Sequence, residues 1–112
     1  MDYKKFLGRE YNVTIDRPLG SAHPKYPDHI YPINYGYIEG IKAGDGDDID
    51  VFVLGEDKPV ESVQVKIIAI IHRTDDNEDK LVGAANDGDY FDEEIEKAVE
   101  FQEKYFKHEL IR

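Results

Sequence analysis

The stretch AGDGDDIDVFVLG (residues 43–55) places Asp45, Asp47, Asp48 and Asp50 within six positions and then turns strongly apolar. Its reading decides the fold, because the same letters admit a helical calcium loop or a polar turn entering a strand. Counted as a calcium loop, Asp45 takes position 1, Asp47 position 3 and Glu56 position 12. Such a loop needs glycine at position 6 for its sharp turn. Asp50 stands there instead, Ile49 fills position 5, and the residues beyond are β-branched. The calcium loop fails. The stretch reads as a turn over 43–48 followed by a strand over 49–54, with Ile49, Val51 and Val53 on one face and Asp48 and Asp50 on the other.

Working outward, YNVTIDR (11–17) alternates β-branched and polar residues and predicts a strand. PLGSAHPKYPDHIYP (18–32) holds four of the five prolines and predicts an extended loop poor in backbone hydrogen bonds. NYGYIEGI (34–41) predicts a short strand broken at Gly40. VQVKIIAIIHR (63–73) is the strongest strand signal, expected to be buried on both faces towards its end. TDDNED (74–79) is a second acidic turn, and KLVGAA (80–85) a shorter strand after it. From Asp92 the period changes: Ile95, Ala98, Val99, Phe101, Tyr105 and Phe106 recur at helical spacing, which predicts a helix to the end of the chain. Asp92, Glu93 and Glu94 suit its N-terminus, where backbone N–H groups carry partial positive charge. Five or six short strands followed by one helix predict a closed or nearly closed β-barrel with a helix packed on it. Without a repeat, low-complexity tract or linker, residues 1–112 are expected to form one domain.

Hydrophobic residues make up 40% of the chain and charged residues 35%, a balance of soluble globular proteins and too apolar for a disordered one. Fourteen Lys and Arg face 25 Asp and Glu, a formal net charge of −11. That field repels nucleic acid, and no basic stripe overrides it. An anionic substrate meets the same repulsion unless bound cations reverse the sign locally. Absence of cysteine excludes disulfides and thiolate metal sites and fits a reducing cytoplasm. MDYKKFLG (1–8) lacks the apolar core of a signal peptide, and the longest apolar run, IIAII (67–71), is far too short to span a bilayer.

An isolated acidic cluster is ordinarily a solvated turn. Here both clusters sit at strand ends, so neighbouring strands can bring them together, and Asp50 lies inside its strand pattern. Unpaired carboxylates are costly to bury, whereas a hard divalent cation stabilises them. Oxygen-only ligation points to Mg²⁺, Mn²⁺ or Ca²⁺ over zinc or copper.

Three segments in register make the chain specific. YPINYGYI (31–38), GDGDDIDVFV (44–53) and RTDDNEDKLV (73–82) together resemble the soluble family I inorganic pyrophosphatases, and KYFKHEL (104–110) resembles that family's helix more loosely. The resemblance implies an OB-like five-stranded barrel with a C-terminal helix, α+β and mainly β. It implies hydrolysis of pyrophosphate in the cytoplasm by a homo-oligomer using several Mg²⁺ ions, with Mn²⁺ as an alternative. Carried over residue by residue, Asp45, Asp50 and Asp75 match metal ligands, and Asp47 matches the acceptor of a proton from the attacking water. Tyr35, Lys80 and Lys107 match substrate-binding residues. Paired cations can lower the pKa of a bridging water and neutralise phosphoryl oxygens, and pyrophosphate arriving as a magnesium complex answers the repulsion from the acidic chain.

The departures matter as much. Asp48 stands where the family has proline or glutamate. The third loop is one residue short, which leaves Glu78 and Asp79 as alternative ligands; strand alternation from Lys80 favours Glu78. Phe106, not tyrosine, precedes Lys107 and is expected to pack in the core. The family's phosphate-gripping hairpin is shortened, so Arg17 and Lys25 are the candidate substitutes, with His23 weaker, and Asp16 stands for the family's acid on the first strand. The chain therefore reads as a shortened member whose metal half is better kept than its phosphate half. Its leading function is Mg²⁺-dependent pyrophosphate hydrolysis. The alternatives are hydrolysis of another diphosphate, or non-catalytic binding of metal or phosphate; an oligonucleotide-binding barrel is disfavoured by the acidity.

Overall fold

Strands form where the β-branched runs lie, as the computed structural model shows for residues 3–76, 78–86 and 88–112. A single 3-10 turn (Lys4–Phe6) precedes β1 (Glu10–Arg17), β2 (Asn34–Lys42), β3 (Asp48–Leu54), β4 (Ser62–Arg73) and β5 (Lys80–Ala84). A helix, α1 (Asp92–Glu103), and a short strand, β6 (His108–Ile111), follow. Asn77, within the second acidic turn, lies outside the described residues.

β1 closes the sheet on itself. Its later half pairs antiparallel with β2 (Thr14 opposite Tyr37), and its earlier half pairs antiparallel with β4 (Tyr11 opposite Val65). β2 and β3 are antiparallel, β3 and β5 parallel, and β5 and β4 antiparallel, so the barrel runs β1-β2-β3-β5-β4 and back to β1. This is the five-stranded OB-like barrel, mainly β with one packed helix, that the resemblance implied. Closure limits the free strand edges that would otherwise invite pairing with another chain, leaving the far end of β4 open to a further strand. At the β1–β2 crossing the backbones come so close that a Cβ on Gly36 would clash with the Thr14 carbonyl.

Alternation along the strands divides two cores. Val13, Ile49, Val51, Val53, Val65, Ile67 and Leu81 fill the barrel, and Tyr3 and Phe6 pack against them. Phe52, Leu54, Ala69, Ile71 and Val82 face outward, where Ile95 and Val99 of α1 cover them. A register shift between Ile67 and Ala69 lets β4 serve both cores, which explains its double-sided burial.

Three expectations are corrected. Residues 18–32 are not poor in backbone hydrogen bonds: Gly20 N donates to the Tyr31 carbonyl, Tyr31 N to that of Ser21 and His23 N to that of His29, with Ala22 opposite Ile30. β2 does not break at Gly40; it runs on to Lys42, and Gly40 adopts φ +91° where the β2–β3 register shifts. The helix does not reach the end of the chain. It stops at Glu103, and residues 108–111 pair antiparallel with the far end of β4, Ile71 opposite Leu110. The helical spacing of Tyr105 and Phe106 was a coincidence of a few residues, overridden by the open edge of β4. Lys107 therefore sits in a turn and not on the helix, with its N–H donating to Asp75 Oδ2 (3.1 Å) and its carbonyl accepting from Thr74 N (2.9 Å). Among the described residues no helix is long and apolar enough to cross a membrane.

Candidate functional site

The end of β1, the proline-rich loop, β3, the start of β5 and the C-terminal end of α1 enclose an open cleft of about 1140 Å³. At its floor, Tyr35 on β2, Asp50 on β3 and Lys80 on β5 converge because Asp50 sits opposite Tyr37 on β2, and β5 runs parallel beside β3. Lys80 Nζ donates to Asp50 Oδ2 and to the Tyr35 hydroxyl, both at 2.8 Å, and Gln102 Nε2 reaches the same hydroxyl at 3.4 Å. The ammonium group is almost wholly buried, while Asp50 remains partly open to the cleft. Burial, reinforced by the Asp50 charge, holds the Tyr35 hydroxyl well above its ordinary range, so it stays protonated.

Arg73, at the end of β4, forms the second fixed cation. Its Nη2 and Nε bond the two oxygens of Glu103 (2.7 and 3.0 Å), its Nη1 lies 3.3 Å from both Asp76 and Glu78, and its guanidinium stacks 3.7 Å from the Phe106 ring centroid. Burial pulls the Arg73 pKa down, but the bonds and charge of Glu103 outweigh it and leave the group above its ordinary value. Phe106 is therefore not in the core as expected: it is half-buried at the cleft, where its ring covers the Arg73 guanidinium.

Five cationic and four acidic side chains line the cleft, in a chain whose net charge is −11. The cleft lining is thus far less acidic than the molecule as a whole, which favours a small anion there over the rest of the surface.

The named acids divide. Asp50 and Glu78 face the cleft, together with Asp16. Half-burial raises the Asp16 pKa, Arg17 opposes that rise, and Asp50 adds to it. Asp79 turns to His72 Nδ1 (3.0 Å) and to Arg73 N (3.2 Å). Asp45 and Asp47 are exposed in the turn before β3, where Asp45 Oδ1 accepts from Asp47 N (3.0 Å). Asp75 is exposed beside Lys107, and neither lines the cleft. Arg17 and Lys25 do line it; Arg17 Nη1 donates to the Asp16 carbonyl (3.0 Å), and Lys25 N to His23 Nδ1 (3.0 Å). The oxygen donors suit a hard divalent cation, but among the described residues no three of them converge as a cage. Asp45, Asp50, Asp75, Glu78 and Asp79 are each committed to a lysine, arginine, histidine or backbone N–H. The arrangement as it stands does not fit such an ion.

Sequence reading missed Arg73, Glu103 and Gln102. One signal was available: Glu103 continues the buried stripe of Ile95 and Val99, and a carboxylate there demands a cation.

A closed OB-like β-barrel with one packed helix and an open, lysine-floored cleft at its rim defines the class of fold. The chain matches the inorganic pyrophosphatase family over residues 9–110 and belongs to it. Its similarity extends to inorganic pyrophosphatases of Corynebacterium glutamicum (31% identity, 70% of this chain, 61% of that one) and Campylobacter jejuni (30% identity, 66% and 42%). The chain thus spans about three fifths or less of those relatives' length. By structure it resembles the inorganic pyrophosphatases of Ehrlichia chaffeensis (TM-score 0.67, 20% identity, 92% of this chain and 85% of that one) and Helicobacter pylori (TM-score 0.67, 17% identity, 96% and 86%), a likeness of fold.

Proposed function

We propose that this protein hydrolyses inorganic pyrophosphate to two phosphates, with Mg²⁺ as its working cation and Mn²⁺ as the alternative. The observation that carries the reading is the buried Lys80 ammonium, held between Asp50 and Tyr35 at the floor of an open cleft in an acidic chain. A buried ammonium with a donor to spare is a site for a phosphoryl oxygen. Arg17 and Lys25 supply further positive charge at the rim, and Tyr35, kept protonated, can donate a hydrogen bond. Lys107 belongs to the proposal as a substrate-binding residue. Asp45, Asp50, Asp75 and either Glu78 or Asp79 are the proposed cation ligands, which must exchange their present partners to serve. Asp47 is the proposed acceptor of the proton from water. One folded domain over 1–112, assembly into a homo-oligomer and residence in the cytoplasm complete the reading.

The test is phosphate release from pyrophosphate with Mg²⁺, with Mn²⁺ and with chelator, comparing wild type with Asp47→Asn. We expect chelator to abolish turnover and Asp47→Asn to lower kcat by about 10²–10⁴-fold, the usual worth of a positioned general base. If wild type releases no phosphate at any cation concentration, the chain is a binding relative and the proposal fails.

A further inference from the structure

Among the described residues, four large hydrophobic side chains are strongly exposed, and three of them, Tyr26, Ile30 and Tyr105, line the same cleft. Tyr26 and Tyr105 keep 65% and 66% of their surface open, one on the proline-rich loop and the other just beyond α1. Neither ring is needed by a core. The exposed rings are also continuous with the cationic floor. Tyr26 lies 5.1 Å from the His23 ring, His23 stacks on Tyr31 at 6.4 Å with planes 8° apart, and Tyr31 meets Tyr35 at 5.6 Å. Tyr35 in turn holds Lys80. On the other wall Lys104 Nζ stands 5.3 Å over the Tyr105 ring.

Inorganic pyrophosphate has no apolar surface for such rings to cover. The cleft, at about 1140 Å³, has the size of pockets that enclose organic ligands. Exposed aromatic side chains gathered at one cleft mark a binding surface, and rings beside cations are the usual platform for a nucleobase attached to phosphate.

We infer that the cleft takes a nucleoside diphosphate, its base against Tyr26 and Tyr105 and its diphosphate towards Lys80 and Arg17. The inference rests on the reading of the Lys80 end as a phosphate site. In the reaction, the oxygen of water bonds the terminal phosphorus and the bridging P–O bond breaks. The electron pair goes to the bridging oxygen, and nucleoside monophosphate, phosphate and a proton leave.

The test separates the two ends of the cleft by equilibrium titration in the presence of Mg²⁺. The probes are methylenediphosphonate, which mimics pyrophosphate, and the methylene-bridged analogue of ADP. We expect wild type to bind both. Tyr26→Ala and Tyr105→Ala, each truncating an exposed ring, should weaken the ADP analogue by between about five- and 150-fold, the worth of one stacked base. Methylenediphosphonate should stay within about twofold. Hydrolysis of ADP without hydrolysis of pyrophosphate supports this inference and overturns the pyrophosphate reading. Binding of methylenediphosphonate with no binding of the ADP analogue overturns the inference and leaves pyrophosphate hydrolysis standing. Binding of neither removes both. If the two variants change sedimentation from dimer to monomer while nucleotide affinity holds, the rings are a self-association face and the inference is overturned.

Discussion

Asp48 departs from the family pattern, and its partners give the reason. Its Oδ1 accepts from Gly40 N (3.2 Å) and from Lys42 Nζ (2.7 Å), so it secures the irregular end of the β2–β3 ladder. The hydrogen bond from Lys42 holds its carboxyl below the ordinary carboxylate range. Asp50, two residues on, faces Lys80 instead, so one strand face serves a structural and a site carboxylate in turn. Asp16 carries the opposite perturbation. Half-burial raises its pKa above 3.8, so the folded chain keeps the proton to higher pH than the unfolded chain does. Ionised Asp16 therefore destabilises the fold above that range, and the penalty disappears once pH falls below about 3.8. In metal-free buffer, Asp16→Asn should raise the urea midpoint at pH 7 and lose that gain near pH 3. A gain of equal size at both pH values would contradict this.

At the scale of elements, the pairing of Arg73 with Glu103 ties the end of β4 to the end of α1, and both side chains are nearly inaccessible to water. Breaking such a pair leaves a buried charge and costs about 3–5 kcal/mol, whereas replacing both partners by apolar groups is often neutral. Glu103→Leu should destabilise the protein by about 3 kcal/mol, and the double variant Arg73→Met/Glu103→Leu should recover most of it. Urea unfolding of the cycle checks this; a double variant no more stable than Glu103→Leu would show that Arg73 is held mainly by Asp76 and Glu78. The same tie explains why α1 ends where it does. Past Glu103 the chain turns back, and β6 pairs with the far end of β4, on the side that β1 does not reach.

For the whole molecule, the governing fact is a chain of net charge −11 with a cleft whose cations and acids nearly balance. Carboxylates that do not form a cage as folded can still favour a divalent ion that rearranges them, and an ion binding only the folded state stabilises it by mass action. Mg²⁺ should therefore raise the thermal midpoint steadily with the logarithm of its concentration, the stabilisation being about 2.7 kcal/mol at a hundredfold excess over its Kd. NaCl at matched ionic strength should do less. Overlapping curves for the two salts would mean that Mg²⁺ only screens charge and that the proposed ligands bind none.

Much of this was legible from the residues. Period-two alternation placed five strands within a residue or two, and the face assignment of Ile49, Val51 and Val53 against Asp48 and Asp50 matches the barrel interior and the opposite side. These are local properties: β-branched spacing and turn residues set which segments extend and which face is apolar. Tertiary structure decided the rest. Only the closed barrel brings Tyr35, Asp50 and Lys80 within one hydrogen-bonded group, across up to 45 residues of chain. Only the free edge of β4 converts the last residues from helix to strand, because four residues cannot declare their own period. And only the packing of α1 on β4 makes Arg73 and Glu103 partners, since a buried charge is tolerable solely where another part of the fold supplies its opposite.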